Sequence, residues 1–156
     1  MTAHASTAVR PPGPPRVLVV DEDAGLTRVV TLALGLERWD VAVAATGGEA
    51  IARVADFHPD GILLDTGLPD ITGPQVVGAL RAVGDETPVV FVTGRDSLED
   101  RLEAFAAGGD DYLTKPFGLD ELVARLRAVM GLSGGAASAD DPVRGSRAPR
   151  VPIRRR

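Results

Sequence analysis

Residues 17–23 read VLVVDED, four apolar residues that run directly into three carboxylates. Four further short apolar runs follow, at residues 41–44, 61–64, 89–92 and 112–113 (VAVA, GILL, VVFV and YL). None of them alternates apolar with polar residues. Continuous apolar runs are typical of strands that are covered on both faces of a parallel sheet. The sequence therefore predicts five buried parallel strands.

Helical patterns lie between these runs, with apolar residues three or four positions apart. The rows are Leu26, Val29, Val30, Ala33 and Leu36; Val76, Leu80 and Val83; Leu98, Leu102 and Phe105; and Leu119, Leu122, Leu126 and Val129. Thr46 with Glu49 three residues later predicts a capping box, and Ser97 precedes another helix start. Alternating strands and helices predict an α/β fold, a (βα)5 doubly wound parallel five-stranded sheet.

Composition divides the chain into one domain and two tails. Residues 1–16 are Pro-rich and residues 132–156 are rich in Gly, Ala and Arg, so we predict that both are disordered. Residues 17–131 form the predicted domain. Their apolar runs are far shorter than the roughly 20 residues that a bilayer-spanning helix needs. With no signal-peptide pattern, this favours a cytoplasmic protein that does not associate with membranes.

Charge is distributed unevenly along the chain. Residues 17–130 carry 9 basic and 20 acidic residues, a net charge of 9 − 20 = −11, whereas six Arg and two Asp follow, giving +4. An acidic body favours cation binding over nucleic-acid binding, and we read the basic tail as solvated. The chain has no Cys, which excludes disulfides and thiolate metal sites.

Polar residues follow four of the five predicted strands. They are Asp21, Glu22 and Asp23 after the first strand, Asp65 after the third, Thr93 and Gly94 after the fourth, and Lys115 after the fifth. Singly, each has an ordinary explanation as a turn former, helix cap or solvated side chain. Together they would meet at one sheet edge, because ligands of open parallel sheets bind beyond the carboxyl ends of the strands.

Carboxylates that crowd together repel unless a cation neutralises them, and Mg²⁺ accepts oxygen ligands while keeping several waters. The pattern predicts a Mg²⁺ site made by Asp21, Glu22 and Asp65, with open positions for a phosphate donor. Asp65 is the predicted phosphoryl acceptor because it has polar neighbours on both sides. Lys115 and Thr93 would then contact the transferred group.

These motifs resemble the receiver domains of response regulators. That family carries an acidic pair after strand one, Asp after strand three, Thr or Ser after strand four and Lys-Pro after strand five. This chain shows VLVVDED, ILLDTGLPD, VVFVTG and DDYLTKPF in that order, within residues 17–131. The resemblance implies a flavodoxin-like fold and a sensor histidine kinase that phosphorylates Asp65. It also implies a switch, not an enzyme, that promotes its own phosphorylation and dephosphorylation.

The same resemblance assigns further roles. It implies that the backbone carbonyl of Gly67 completes the metal site, that Gly94 contacts the phosphoryl group, and that the Lys115-Pro116 bond is cis. The chain departs from the common family pattern at three positions. Glu22 stands where Asp is commoner, Gly67 lies two residues past the acceptor, and Arg95 lies two residues past Thr93. We hypothesise that Gly67 and Arg95 set the lifetime of the phosphate.

Residues 107–129 (AGGDDYLTKPFGLDELVARLRAV) most resemble receivers of the winged-helix, OmpR/PhoB-type transcription regulators. This implies that Tyr112 switches with Thr93, and that a phosphorylation-linked homodimer pairs Arg101 with Glu121 and Asp111 with Arg125. Glu121 and Arg125 would alternatively pair at i,i+4 within one helix. The 26 residues after Met130 show no winged-helix pattern, so DNA binding is expected only if a missing C-terminal domain exists. A truncated regulator and a stand-alone receiver both remain open.

Two other functions stay open at this point. Asp21-x-Asp23 after an apolar strand also resembles haloacid-dehalogenase-like phosphatases, with Asp21 as the nucleophile. Against this, Lys115 follows the late acidic pair, whereas the lysine of that family precedes it. The second alternative is a receiver that acts as a phosphorylation-independent docking module, which the joint retention of Asp65, Thr93 and Lys115 disfavours.

Overall fold

The computed structural model describes residues 13–94 and 97–132. Strands and helices alternate as β1 (Arg16–Val20), α1 (Ala24–Leu36), β2 (Asp40–Ala44), α2 (Gly47–Phe57), β3 (Gly61–Asp65), α3 (Gly73–Ala82), β4 (Val89–Thr93), α4 (Leu98–Ala106), β5 (Asp111–Thr114) and α5 (Leu119–Met130). The strands are parallel in the order β2-β1-β3-β4-β5. The predicted (βα)5 fold is confirmed, and strand order reverses between β1 and β3.

Each face of the sheet carries its own hydrophobic core. Leu18 and Val20 of β1 point into a cluster closed by α2, α3 and α4. Val17 and Val19 point the opposite way, into a cluster closed by α1 and α5. Because both faces are covered, the strand interiors are continuously apolar, and β3 and β4 are buried along their whole length. The result is a rigid central sheet whose carboxyl edge holds the polar residues.

The predicted apolar faces of α1 and α4 are partly wrong. Val29 and Leu36 of α1 are 48% and 84% exposed, and Leu98 and Leu102 of α4 are 70% and 59% exposed. α1 buries the predicted Val30, together with Thr27 and Leu34, which were not in the predicted row, and α4 buries Ala104. Each of these helices contacts the sheet along a narrow row. Apolar spacing could not distinguish that row from a neighbouring solvent-exposed one.

Side-chain caps fix the starts of α1 to α4, whereas α5 begins after Gly118 without one. Thr46 Oγ1 accepts a hydrogen bond from Glu49 N at 3.0 Å, as predicted. Glu49 Oε1 accepts from Ala45 N instead of completing the box at Thr46. Ser97 caps α4 as predicted. These bonds satisfy amide groups that would otherwise lack a partner in the first helical turn.

The predicted tails fall almost entirely outside the described residues. Residues 1–12 and 133–156 carry most of both segments, so the prediction of disorder there stays a prediction. Over residues 13–94 and 97–132, no helix combines the length and the apolar character that crossing a bilayer requires.

Candidate functional site

Two carboxylates lie side by side at the point where strand order reverses. Val20 of β1 pairs with Leu64 of β3, which places the residues that follow them, Asp21 and Asp65, next to each other. Both residues are buried, with 6% and 9% of their surface exposed. The sheet therefore delivers two acidic side chains to one crevice, as the sequence predicted.

Lys115 joins the two carboxylates. Its Nζ lies 3.1 Å from Asp21 Oδ2 and 3.2 Å from Asp65 Oδ1. Its backbone N–H donates to the carbonyl oxygen of Thr93 at 2.8 Å, which ties the loop after β5 to the end of β4. The Lys115-Pro116 peptide bond is cis, as predicted. One ammonium thus serves two carboxylates that come from different strands.

The Asp65 carboxyl group is held in an unfavourable electrostatic environment. Burial and then the neighbouring charge of Asp21 raise its pKa, against the opposing effects of Lys115 and of the Gly67 N–H group. The apolar side chains of Leu63, Val92 and Phe117 line the space beside it, which accounts for the loss of solvation. A second cation at this position would relieve the remaining repulsion.

Lys115 experiences the complementary effect. Burial alone would lower the pKa of its ammonium group, but the hydrogen bond to Asp21 and the charges of Asp65 and Asp21 outweigh burial. The pKa of Lys115 is therefore raised, and its side chain remains a cation at neutral pH.

The β3–α3 loop, residues 66–72, wraps around the acceptor position. Gly67 N donates to Asp65 Oδ2 at 3.1 Å, and Gly73 N donates to the carbonyl oxygen of Thr66 at 2.9 Å. A Cβ atom at Gly73 would lie 2.7 Å from the backbone oxygen of Asp65. Glycine is therefore required where α3 approaches the acceptor backbone so closely.

The acidic residues after β1 divide into different roles. Asp23 Oδ1 accepts from Leu26 N at 3.1 Å and caps α1, the ordinary role that an acidic residue has after a strand. Asp23 N donates to Asp21 Oδ1 at 2.9 Å, which fixes that carboxylate. Glu22 is exposed. In the part of the chain that the structure describes, no three His, Cys, Asp or Glu side chains form a metal-binding group.

Thr93 and Gly94 end the neighbouring strand. Thr93 is the last residue of β4 and is only 2% exposed, whereas Gly94 directly after it is exposed. Asp65 pairs with Val92 in the β3–β4 register, so Thr93 lies one residue further toward the carboxyl edge. Arg95, proposed above to affect phosphate lifetime, lies outside the described residues.

Tyr112 of β5 is enclosed by two side chains of α4. Its ring centroid is 6.3 Å from that of Phe105, and the guanidinium carbon of Arg101 lies 5.3 Å from the Tyr112 ring centroid. Tyr112 is 8% exposed, so the ring is packed inward in this structure. Its predicted role as a switch stays a prediction.

The residues predicted to pair across a dimer make contacts within one chain. Arg125 Nη1 binds both carboxylate oxygens of Asp111 at 2.8 and 3.0 Å, and Arg125 Nη2 lies 3.1 Å from Glu121 Oε2. The Glu121–Arg125 contact is the i,i+4 pair that was left open. Together with Arg101 and Tyr112 these residues line an open groove of about 440 Å³. Pairing across a dimer stays a prediction.

Two features of the β3–α3 loop were missed. Asp70, in the β3–α3 loop, accepts hydrogen bonds from Gly47 N and Gly48 N at the start of α2. A complete capping box, formed by Thr72 and Gln75, also closes this loop. The Thr-x-x-Gln spacing before an apolar row was a recognisable signal for the box, whereas nothing local signalled the contact of Asp70 with α2.

A doubly wound sheet with two carboxylates and a lysine at its switch point defines a receiver-type α/β domain. The family model of the response regulator receiver domain matches residues 17–127. The chain belongs to this family.

Similar proteins agree with this assignment. The transcriptional regulatory protein TrcR of Mycobacterium tuberculosis is 48% identical over 117 residues, which are 75% of this chain and 46% of that protein. The transcriptional regulatory protein PrrA of Mycobacterium leprae is 42% identical over 125 residues, 80% of this chain and 54% of that protein. The chain spans about half the length of these curated relatives.

Solved structures show the same fold. The receiver domain of the Francisella response regulator 1452 superposes with a TM-score of 0.71 at 33% identity, covering 75% of this chain and 97% of that one. Vibrio cholerae chemotaxis protein CheY4 superposes with a TM-score of 0.72 at 31% identity, covering 75% and 99%. The chain is thus a two-component receiver domain that is homologous to transcriptional regulators. Such domains are signalling switches, and this assignment displaces the phosphatase alternative.

Proposed function

We propose that Asp65 accepts a phosphoryl group from a sensor histidine kinase in a Mg²⁺-dependent reaction, and that this modification is the signal the domain transmits. The observation that supports this is Lys115 Nζ, 3.1 Å from Asp21 and 3.2 Å from Asp65. A single buried carboxylate with a structural role would not require a lysine that is shared with a second carboxylate. Two carboxylates and an ammonium in one crevice can bind both a divalent cation and a phosphoryl group.

Asp65 is a better acceptor than Asp21. It lies on β3, between β1 with its carboxylate and β4 with its hydroxyl, so the groups needed to bind a phosphoryl oxygen flank it. Hydrogen bonding does not distinguish the two carboxylates, because Asp21 is engaged by Asp23 N and Lys115, and Asp65 by Gly67 N and Lys115. Their positions on the sheet do distinguish them. Asp21 is therefore suited to hold a cation and Asp65 to react.

The donor set fits magnesium. Asp21 and Asp65 provide buried carboxylate oxygens, and burial together with the charge of Asp21 raises the pKa of Asp65. Hard oxygen ligands are what Mg²⁺ prefers. We assign Asp21, Asp65, the Gly67 backbone carbonyl and Glu22 to this ion. When bound, Mg²⁺ neutralises charge on the carboxylates and on the transferring phosphoryl group.

The transfer forms an acyl phosphate. An oxygen of the Asp65 carboxylate attacks phosphorus as the bond from phosphorus to the donor histidine nitrogen breaks. Lys115, freed from one carboxylate contact, balances charge on the phosphoryl oxygens, and Thr93 Oγ1 and Gly94 N donate hydrogen bonds to them. The domain supplies these groups for its own phosphorylation and dephosphorylation, and we do not class it as an enzyme.

The output of this switch is a change in association. We infer that engagement of Thr93 is followed by movement of Tyr112, and that the α4–β5–α5 face then forms a homodimer through Arg101, Asp111, Glu121 and Arg125. DNA binding would require a further domain, consistent with relatives about twice as long that are named transcriptional regulatory proteins. Relatives of that kind also support a cytoplasmic location. A phosphorylation-independent docking module is the alternative.

Intact mass spectrometry tests the acceptor. We expect one phosphoryl adduct after incubation with acetyl phosphate and Mg²⁺, and none when Mg²⁺ is removed by chelation. Asp65→Asn should take no adduct, whereas Asp56→Asn, an exposed acidic position on α2, should match the parent. An unmodified parent that also fails to bind beryllofluoride would leave the docking module as the function.

A further inference from the structure

The β3–α3 loop, residues 66–72, is attached to a helix that is remote in sequence. Asp70 Oδ1 accepts a hydrogen bond from Gly47 N at 2.8 Å, and Asp70 Oδ2 accepts one from Gly48 N at 2.9 Å. One carboxylate therefore spans two adjacent amide groups in the first turn of α2. Hydrogen bonds of this charge-assisted kind are shorter and stronger than those between neutral groups.

Ile71 extends this contact. A Cβ atom at Gly47 would lie 2.4 Å from Ile71 Cγ1 and 2.9 Å from Val76 Cγ2, so the loop and α3 pack directly against the backbone of α2. Glycine at position 47 makes this approach possible, and Gly47 itself is buried. Asp70 and Ile71 thus both join the loop to the start of α2.

The ends of the loop are fixed separately. Gly67 N binds Asp65 Oδ2, and Gly73 N binds the Thr66 carbonyl oxygen. At the far end Thr72 and Gln75 form the capping box of α3. In the middle of the loop, Leu68 and Ile71 pack against the core on one face of the sheet, and the Asp70 carboxylate adds the two hydrogen bonds to α2.

We propose that Asp70 is a positioning residue, which holds the β3–α3 loop against α2 and so fixes the Gly67 backbone at the acceptor site. The role of Gly67 as a metal ligand rests on the proposed function. Groups that orient a metal ligand commonly change metal affinity by about 10- to 100-fold when removed. Asp70 would act in this way on a backbone carbonyl.

A purely structural role makes a different prediction. If Asp70 only caps α2, its loss should weaken the helix as the loss of any other cap does. Thr46 offers the matched comparison, because its Oγ1 caps the same helix turn through Glu49 N, a residue of α2 itself and not of the loop. The backbone hydrogen bonds also lower the pKa of Asp70, which supports an ionised carboxylate.

The experiment compares Asp70→Ala, Asp70→Asn and Thr46→Ala in the full chain. Hydrogen exchange of the Gly67, Leu68 and Asp70 (or substituted residue) amides is measured by NMR without metal, and Mg²⁺ affinity by titration of amide shifts. For Asp70→Ala we expect exchange at least about tenfold faster and a Mg²⁺ dissociation constant about tenfold higher. Asp70→Asn retains one acceptor oxygen and should be intermediate. Thr46→Ala should change neither quantity.

The proposal is overturned if Asp70→Ala behaves like Thr46→Ala, or if loop exchange rises while Mg²⁺ affinity stays the same. Failure of the proposed function is a separate outcome, because it would appear as a parent chain that binds no Mg²⁺ at all. In that case the exchange rates of the metal-free chain alone decide whether Asp70 holds the loop.

Discussion

One ammonium shared by two carboxylates determines how the site behaves at the scale of single residues. Lys115 neutralises at most one of the two negative charges that β1 and β3 deliver. Burial, and after it the charge of Asp21, therefore keeps the pKa of Asp65 raised. The sequence predicted all three residues because each lies at or just beyond the end of an apolar run. It could not predict that Lys115 bridges both acids, since that depends on the side-chain conformation in the folded crevice.

Lys115→Met separates cation binding from phosphoryl transfer. Lys115 competes with a metal ion for the oxygens of Asp21 and Asp65, so its removal should leave Mg²⁺ affinity unchanged or tighter. The variant also lacks the charge that balances the transferring group, and its phosphorylation rate should fall by about 100-fold. Calorimetric Mg²⁺ titration and the time course of adduct formation measure the two effects.

Arg28→Met removes a cation from the exposed side of α1 and serves as the control. It should leave both quantities at parent values. A Lys115→Met chain that is phosphorylated at the parent rate would show that the lysine has a structural role only.

At the scale of secondary-structure elements, the sequence predicted features that depend on neighbouring residues. It did not predict contacts between residues that are far apart in the chain. Strand ends and the Thr46 and Ser97 caps follow from neighbouring residues, and the structure confirms them. The buried faces of α1 and α4 were predicted incorrectly in part. Apolar spacing identifies residues that share one side of a helix, but it does not show which side packs against the sheet. The contact of Asp70 with α2 joins residues 22 and 23 positions apart, which no local pattern reports.

Asp70 makes the stability of this loop–helix contact depend on pH. Hydrogen bonds from Gly47 N and Gly48 N hold the pKa of Asp70 below its ordinary value of 3.8. A carboxylate with a lowered folded-state pKa stabilises the fold above the unfolded pKa, and this contribution is lost as pH falls through the folded value. Asp70→Asn should therefore unfold at lower denaturant than the parent near neutral pH, with the gap closing in acid.

Urea unfolding followed over a series of pH values measures this gap. Thr46→Ala removes a cap that does not titrate. The difference between its urea midpoint and that of the parent should therefore not close in acid in the same way. An Asp70→Asn gap that is equally large at all pH values would contradict the ionised contact.

At the scale of the molecule, the chain is a receiver in which the proposed dimer face, α4–β5–α5, is held together by contacts within one chain. Arg125 binds Asp111 and Glu121 of its own chain, and Arg101 lies over Tyr112. The proposed dimer would exchange some of these contacts for contacts across a twofold axis. Single exposed ion pairs contribute about 0–1 kcal/mol each, so the exchange costs little and the phosphorylation signal can bias it.

Glu121→Lys tests the proposed dimer face. The substitution places a cation beside Arg125 and opposite Arg101 of the second copy. In a twofold-symmetric dimer, this repulsion occurs at two places in the interface. Dimer affinity of the beryllofluoride-treated chain should weaken by roughly tenfold. Sedimentation velocity over a concentration series measures it, with Asp56→Lys on α2 as a charge-matched control. Equal dimerisation of both variants would place the interface elsewhere.

The most direct test of the central claim locates the modified residue. Borohydride reduces an aspartyl phosphate to a primary alcohol and releases phosphate, which converts the acceptor to homoserine. After treatment with acetyl phosphate, Mg²⁺ and borohydride, peptide sequencing by mass spectrometry should find homoserine at position 65 alone. Homoserine at position 21 or at another acidic residue, or none anywhere, would contradict the assignment of Asp65 as the phosphoryl acceptor.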